Sequence, residues 1–250
     1  MAMIDRKVEI AQKIRQTGRV GVTELAEEYG VSTMTIRRDL ARLEQEGLVT
    51  VEYGGAILRQ PSLLENDMLQ KQTSFPEEKR RIAQAALAFV QDGDSVFVDG
   101  GTTACEIARL LTQRKDLQVM TNSLPAANIL AACDTIHLTL CPGEYRALSM
   151  AFLGQLTDEF LTSFRFDVLF LGVEGVQDGI FVPNEGDGTT KRKLIGQANT
   201  VICVADHSKF GRACHYRIAR LEQVDHLITD SALPEDQAAL YRDKTDLILA

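Results

Sequence analysis

Four things are scarce or missing in this chain, and each one closes off a class of protein. No pair of cysteines has C-x-x-C spacing. The five present, Cys105, Cys133, Cys141, Cys203 and Cys214, are odd in number and widely separated, which argues against a disulfide framework and a zinc knuckle. Cys214-His215 with His207 nearby matches no structural zinc spacing, so neither a metal nor a cofactor is expected. No apolar run approaches the roughly 20 residues that span a bilayer, and the opening MAMIDRKVEI lacks the apolar core of a secretory signal. The expectation is a soluble, cytoplasmic protein without a membrane partner. Internal repeats and low-complexity segments are also absent.

The fourth scarcity is positive charge. The chain carries a formal −8, which at first argues against nucleic acid. The charge is unevenly spread. Residues 1–60 hold nine Lys or Arg and nine Asp or Glu, so the whole −8 falls on the remainder. With 250 residues and 45% apolar content, one small and one medium domain can each build a core.

The small domain carries the most informative stretch, Val22 to Leu48. Thr23 is a suitable N-cap, Glu24 puts negative charge in the first turn, and Leu25, Ala26 and Tyr29 form an apolar stripe. Gly30 ends that helix and Ser32 can cap the next, in which Ile36, Leu40 and Leu43 line one side. At about 100° per residue, Met34, Arg38, Ala41 and Gln45 then occupy the opposite side, flanked by Arg37 and Arg42. Two short helices, a tight turn and a basic outer face make a helix-turn-helix, although an Arg pair alone is also what an ordinary solvated helix shows. Glu46-Gly47-Leu48 closes the helix. Val49 to Leu58 reads as two strands around Tyr53-Gly54-Gly55, a wing. Arg6 to Gln16 supplies a preceding helix with Ile10, Ala11 and Ile14 inward, stopped by Gly18. Met34, Thr35 and Arg38 are candidates for base edges and Arg37, Arg42 and Tyr53 for phosphates, with Ser32 and Thr33 at the helix start.

These residues resemble a known family. Val31-Ser32, Thr35-Ile36-Arg37-Arg38-Asp39-Leu40, Leu43-Glu44, Gly47-Leu48 and Gly54-Gly55-Ala56 look like the N-terminal signature of DeoR-type bacterial transcriptional regulators. The resemblance implies a winged helix-turn-helix joined to a sugar-phosphate sensor. The family usually has His before the Gly pair, where this chain has Tyr53.

Residues 59–75 are mostly polar and read as a linker between a DNA-binding domain at 1–58 and an α/β domain at 76–250. Pro76-Glu77-Glu78 opens a helix. Beyond it, apolar runs at 95–99, 117–121, 135–141, 167–171, 200–205 and 226–229 alternate with helical stretches, predicting a Rossmann-like, mostly parallel sheet covered on both faces. Such sheets bind ligands at the carboxyl ends of their strands. The first run is followed by Asp99-Gly100-Gly101-Thr102-Thr103 and a helix with Ala104, Ala108 and Leu111 inward, the outline of a phosphate cradle. A tight strand-to-helix turn would look the same. The other ends give Thr121-Asn122-Ser123, Pro142-Gly143 with Arg146, Gly172 with Gly175, Asn184-Glu185, Lys191-Arg192, and Asp206 to Gly211.

Hydroxyls, carboxylates and cations on one rim suit a polyol phosphate. Thr102, Thr103 and Lys209 are candidates for its phosphate. Asp99, Asn122, Glu185 and Asp206 are candidates for its hydroxyls, with Gly100, Gly101, Thr121, Ser123, Arg146 and Lys191 completing the site. These segments also resemble the DeoR-type sensor, implying a fold related to ribose-5-phosphate isomerase. The family usually has Gly-Gly before its Arg and Glu-Ala after its Asn, where this chain has Pro142-Gly143 and Glu185-Gly186.

The expected function is a repressor of a carbohydrate-utilisation operon. Its partners are an operator in double-stranded DNA and a phosphorylated sugar, and it acts as a homodimer or homotetramer. The other reading is a sugar-phosphate isomerase with an accessory DNA module, because Asp99, Glu185, Asp206 and Lys209 stand where protons could move. The same side chains are needed simply to hold hydroxyls and phosphate, and a fold by itself establishes no chemistry.

Overall fold

The computed structural model describes residues 3–45, 49–58 and 68–250. It divides into two units, Met1–Ser62 and Leu63–Ala250.

In the first unit, α1 (Met3–Thr17) leads into β1 (Arg19–Gly21), α2 (Val22–Tyr29), α3 (Thr33–Gln45) and the hairpin of β2 (Val49–Glu52) and β3 (Gly55–Leu58). The helical spacing read from the sequence turns inward as expected: Ile10, Ile14, Leu25, Ile36 and Leu40 have no exposed surface, and Leu43 and Val49 almost none. Gly30 ends α2 in the left-handed conformation, φ 62°. Thr23 is not the cap. The chain leaves β1 in extended conformation at Gly21, whose N–H donates to the Glu24 carboxylate, so the helix has already begun when Thr23 is reached.

The strand β1 was not anticipated. It pairs antiparallel with β3, Arg19 opposite Ile57, making a three-stranded sheet in the order β1-β3-β2. That pairing explains Gly55: a Cβ there would stand 2.2 Å from the Val20 carbonyl oxygen. A buried ion pair, Arg6 Nε to Asp39 Oδ2 at 2.8 Å, joins α1 to α3. The expected helix end at Glu46-Gly47-Leu48 lies outside the described residues.

The second unit comprises α4 (Met68–Gln72), α5 (Pro76–Ala86), β4 (Ser95–Val98), α6 (Thr102–Leu111), β5 (Leu117–Thr121), α7 (Leu124–Leu130), β6 (Ile136–Leu140), β7 (Glu144–Arg146), β8 (Ala151–Leu153), α8 (Gln155–Leu161), β9 (Phe166–Gly172), β10 (Gly175–Val176), β11 (Ile180–Val182), α9 (Glu185–Ile195), β12 (Ala198–Val204), β13 (Tyr216–Ala219), β14 (His226–Thr229), α10 (Glu235–Arg242) and β15 (Asp246–Leu249). Seven strands form a sheet in the order β15-β14-β12-β9-β4-β5-β6, every pair parallel. The strands are apolar on both faces because both are covered. Val96, Val98, Phe170 and Val204 pack with Ile82, Ala86, Ile107 and Leu111 of α5 and α6 on one side. Phe97, Leu169, Leu171 and Cys203 pack with Leu161, Leu194 and Tyr241 of α8, α9 and α10 on the other.

All six expected strands are present, and β15 adds a seventh. β10, β11 and β13 form a small antiparallel sheet, and β7 with β8 a hairpin. The expected linker needs correction in its second half. Residues 59–67 lie outside the described residues, but 68–75 belong to the second unit: Met68 is buried in the core cluster of α5 and α6, and its N–H donates to the Leu148 carbonyl at 3.2 Å. One buried apolar residue, Met68, and the edge-on contact of the exposed Phe75 ring with His207 outweigh the polar composition between them.

The chain runs from β4 outward through β5 to β6, then returns to lay β9 on the other side of β4. The connections therefore diverge at the carboxyl ends of β4 and β9, which is where a crevice opens in a parallel sheet.

Candidate functional site

On the first unit, α3 presents the surface its periodicity predicted. Met34 is 69% exposed, and Arg37, Arg38, Ala41 and Arg42 are all on the solvent side. Thr33 is exposed too. The Ser32 hydroxyl accepts from the Thr35 N–H at 3.2 Å and lies 2.9 Å from the Thr35 hydroxyl, so these two side chains cap the helix. Tyr53 stands fully exposed at the hairpin turn, where Gly54 takes φ 87°. Glu44 Oε1 accepts the Val51 N–H at 2.8 Å and so fixes the hairpin against α3.

On the second unit, the crevice between β4 and β9 is built around Asp99. Its Oδ2 accepts the Gly172 N–H at 3.0 Å and the Lys191 ammonium, and Lys191 also donates to the Gly172 carbonyl at 3.0 Å. Gly172 is required there, since a Cβ would meet the Gly100 carbonyl oxygen at 2.5 Å. Lys191 reaches this point because the Asn184 side chain caps α9, accepting from the Asp187 N–H at 2.8 Å. That cap places Asp187 one turn before Lys191, with the two 3.7 Å apart.

Burial works to discharge the Lys191 ammonium, but Asp187 and Asp99 prevail and hold it charged, its pKa raised. Two carboxylates share one ammonium. Burial, with Asp99 beside it, pushes the Asp187 carboxyl up against the pull of Lys191.

Gly101, at φ 128°, caps α6, so the turn 100–103 delivers the amino end of that helix to the same place. Gly100, Gly101 and Thr102 are half-buried and Thr103 is buried. Asp99 Oδ1 and Asn122 Oδ1 are buried acceptors with no hydrogen-bond partner among the described residues. They follow adjacent strands, β4 and β5.

The other candidates divide. Thr121 Oγ1 donates to the Val98 carbonyl and accepts the Ser123 N–H, while Ser123 Oγ caps α7, so both hydroxyls are engaged in holding the strand end. Asp206 Oδ1 accepts from the Ser208 N–H and hydroxyl. Arg146, half-buried on β7, already engages another group. Glu185 is exposed in the first turn of α9. Lys209 pairs with Glu174 at 2.8 Å.

Glu174, Asp187 and Lys71 were missed by the sequence reading. Asp187 carried a usable signal, its i, i+4 spacing from Lys191. Glu174 lies two residues past Gly172, at a strand end like the rest. Among the described residues no group of His, Cys, Asp and Glu has the geometry of a metal site.

Two family models match the chain: a DeoR-like helix-turn-helix domain over residues 6–62 and a DeoR C-terminal sensor domain over residues 74–231. The chain is 37% identical over 237 residues to a putative aga operon transcriptional repressor of Escherichia coli O157:H7, covering 93% of this chain and 88% of that one. It is 33% identical over 236 residues to the glycerol-3-phosphate regulon repressor of Escherichia coli strain K12, covering 94% and 93%. Among solved structures, ribose 5-phosphate isomerase A from Methanocaldococcus jannaschii is 20% identical over 55% of each chain, with a TM-score of 0.42.

Proposed function

The chain belongs to the DeoR family of transcriptional regulators, and from that premise we propose that a phosphorylated sugar binding its second unit lowers the affinity of its first for operator DNA. It is a DNA-binding repressor of carbohydrate utilisation and not an enzyme. No helix among the described residues is long and apolar enough to cross a membrane, consistent with work in the cytoplasm.

The observation that carries the effector reading is the pair of unpartnered acceptors, Asp99 Oδ1 and Asn122 Oδ1, at the divergence of the sheet. Leaving a buried acceptor unpaired costs on the order of 1–3 kcal/mol, and two adjacent ligand hydroxyls would satisfy both. The amino end of α6 stands beside them with Thr102 and Thr103, where N–H groups and hydroxyls suit a phosphate. Lys191 positions Asp99, and Gly100, Gly101 and Arg146 complete the rim. Glu185 is assigned to the outer hydroxyls and Lys209 to the phosphate, with Asp206 beside it at the end of β12 and Thr121 and Ser123 shaping the opposite side at the end of β5.

A homodimer would set two copies of α3 about 34 Å apart on a pseudo-palindromic operator. The effector acts by binding the DNA-free arrangement more tightly than the DNA-bound one. The test joins two assays on the full chain. A thermal-shift screen of sugar phosphates should find one that raises the melting temperature. Anisotropy on the upstream region of its own operon should show specific binding that this compound weakens, and Arg38→Ala should lose at least tenfold in operator affinity without a change in melting temperature. Equal affinity for scrambled DNA, or no stabilising sugar phosphate, would count against the reading.

A further inference from the structure

The eight residues from Met68 to Phe75 are held down by more charge than a tether needs. Lys71 Nζ meets Glu174 Oε2 at 2.6 Å, and the other oxygen of the same carboxylate meets Lys209 Nζ at 2.8 Å. Burial works to raise the Glu174 pKa, but Lys209 and Lys71 outweigh it and keep the carboxylate charged. Lys79, itself buried, gives its ammonium to the carbonyls of Lys71 and Ser74, closing the turn after α4. Phe75 sits in the left-handed region, φ 53°, a conformation sustained only by its surroundings. Its ring stands edge-on to His207, centroids 4.7 Å apart, and His207 Nδ1 is fixed by Asp230 at 2.9 Å. His207 and Lys209 both follow β12, at the strand ends that form the effector rim.

Glu174 is thus a resident anion between two ammonium groups. One of them, Lys209, belongs to the rim, and the other, Lys71, belongs to the first described element after the DNA-binding unit. Resting on the effector site proposed above, we propose that α4 is a latch on that site: the anionic group of the effector displaces Glu174 from Lys71 and Lys209, so that filling the site changes the hold on the segment that leads to the DNA-binding unit. A phosphate carrying about −1.5 to −2 charge competes favourably with a single carboxylate for two lysines. Lys71 is then a ligand-binding residue supplied by a segment whose composition looks like spacer. The coupling needs no wire through the sheet, because one side chain touches the ligand and sits on the connecting element.

Hydrogen–deuterium exchange on the full chain tests this. Lys71→Ala, which removes one of the two Glu174 ion pairs, and Glu174→Gln, which weakens both, should each speed amide exchange across residues 68–75 about fivefold, the upper scale for a partly exposed ion pair. Amides of β4 and β9 should keep their protection, and Lys71→Arg should behave like the parent. Inorganic phosphate, compared with chloride at equal ionic strength, should slow exchange across residues 68–75 in the parent, because it bridges Lys71 and Lys209 more strongly than Glu174 does, and should have no such effect in Lys71→Ala. Unchanged exchange at 68–75 in Lys71→Ala would overturn the latch. So would phosphate that protects residues 100–103 in the parent while leaving 68–75 untouched, an outcome that keeps the effector site and removes the latch alone. Phosphate that alters neither segment would remove both.

Discussion

Replacing Lys191 by Met tests whether a buried ammonium holds the floor of the site. Lys191 is 3% exposed and Asp99 1%, and the ammonium serves three acceptors: Asp99, Asp187 and the Gly172 carbonyl. Methionine keeps the length and apolar stem of the side chain, so the loss is electrostatic. Removing one partner of a buried pair leaves an uncompensated charge, which costs roughly 3–5 kcal/mol. For a unit of this size each kcal/mol lowers the melting temperature by roughly 2–4 °C, which puts the expected fall between roughly 6 and 20 °C by calorimetry. Adding Asp99→Asn should recover at least half of it, because the second substitution removes the charge that the first one stranded.

The pH dependence has a definite sign. The Asp187 carboxyl is already raised by burial and by Asp99, with Lys191 opposing, and loses that opposition in the variant. A raised carboxyl binds a proton in the folded state before the unfolded chain does. The variant should therefore gain stability as pH falls from neutral toward the ordinary carboxylate range, recovering part of the deficit. A loss below about 1 kcal/mol, flat with pH and unrelieved by Asp99→Asn, would show that backbone hydrogen bonds alone hold the turn at Asp99, and would refute the reasoning.

Two further outcomes follow from burial and close packing. Iodoacetamide on the native protein should spare Cys105, Cys141 and Cys203, whose thiols burial pushes up, the first two to about 11 and about 12, and should modify Cys133 and, more slowly, Cys214. Peptide mass spectrometry reads this directly, and equal labelling of all five would mean that the sheet opens readily. Gly55→Ala should weaken the β1–β3 pairing by roughly 1–3 kcal/mol, since the new methyl meets the Val20 carbonyl. Faster amide exchange in β1 and β3, with the second unit unchanged, is the signature; parental protection there would contradict the close approach.

The elements were legible wherever a period was strong. Ile36, Leu40 and Leu43 fixed the inward face of α3, and so its outward one, before any coordinates. Strand ends were legible as positions but not as partners. Thr121, Ser123 and Asp206 carry the right groups at the right ends, yet each has a backbone N–H within three residues and is engaged there, because a short polar side chain finds its own main chain first. Lys191 and Asp99 are 92 residues apart, and nothing local to either announces the other. The strand β1 has three residues, too few for a pattern, and β15 has four; both depend on a partner strand distant in sequence. The stretch 68–75 misled because composition averages over residues, whereas Met68 and Phe75 act singly.

An acidic chain can bind DNA because net charge is the wrong quantity to read. Several acids of the first unit are occupied within it: Asp39 by Arg6, Glu28 by Lys13, Glu24 by the Gly21 N–H and Glu44 by the Val51 N–H. Arg37, Arg38 and Arg42 remain on the outer side of α3. At physiological salt the screening length is about 8 Å, so a phosphate touching that side responds most strongly to the guanidinium groups within that distance, whatever the net charge of the chain. The unfavourable long-range field slows encounter and leaves the bound contacts nearly intact. Affinity for non-specific DNA should consequently be low for a regulator of this size, with few phosphates neutralised per copy of α3. On the proposed assignment of Arg38 and Met34 to base edges, more of the operator preference rests on those contacts than on the charge of the domain.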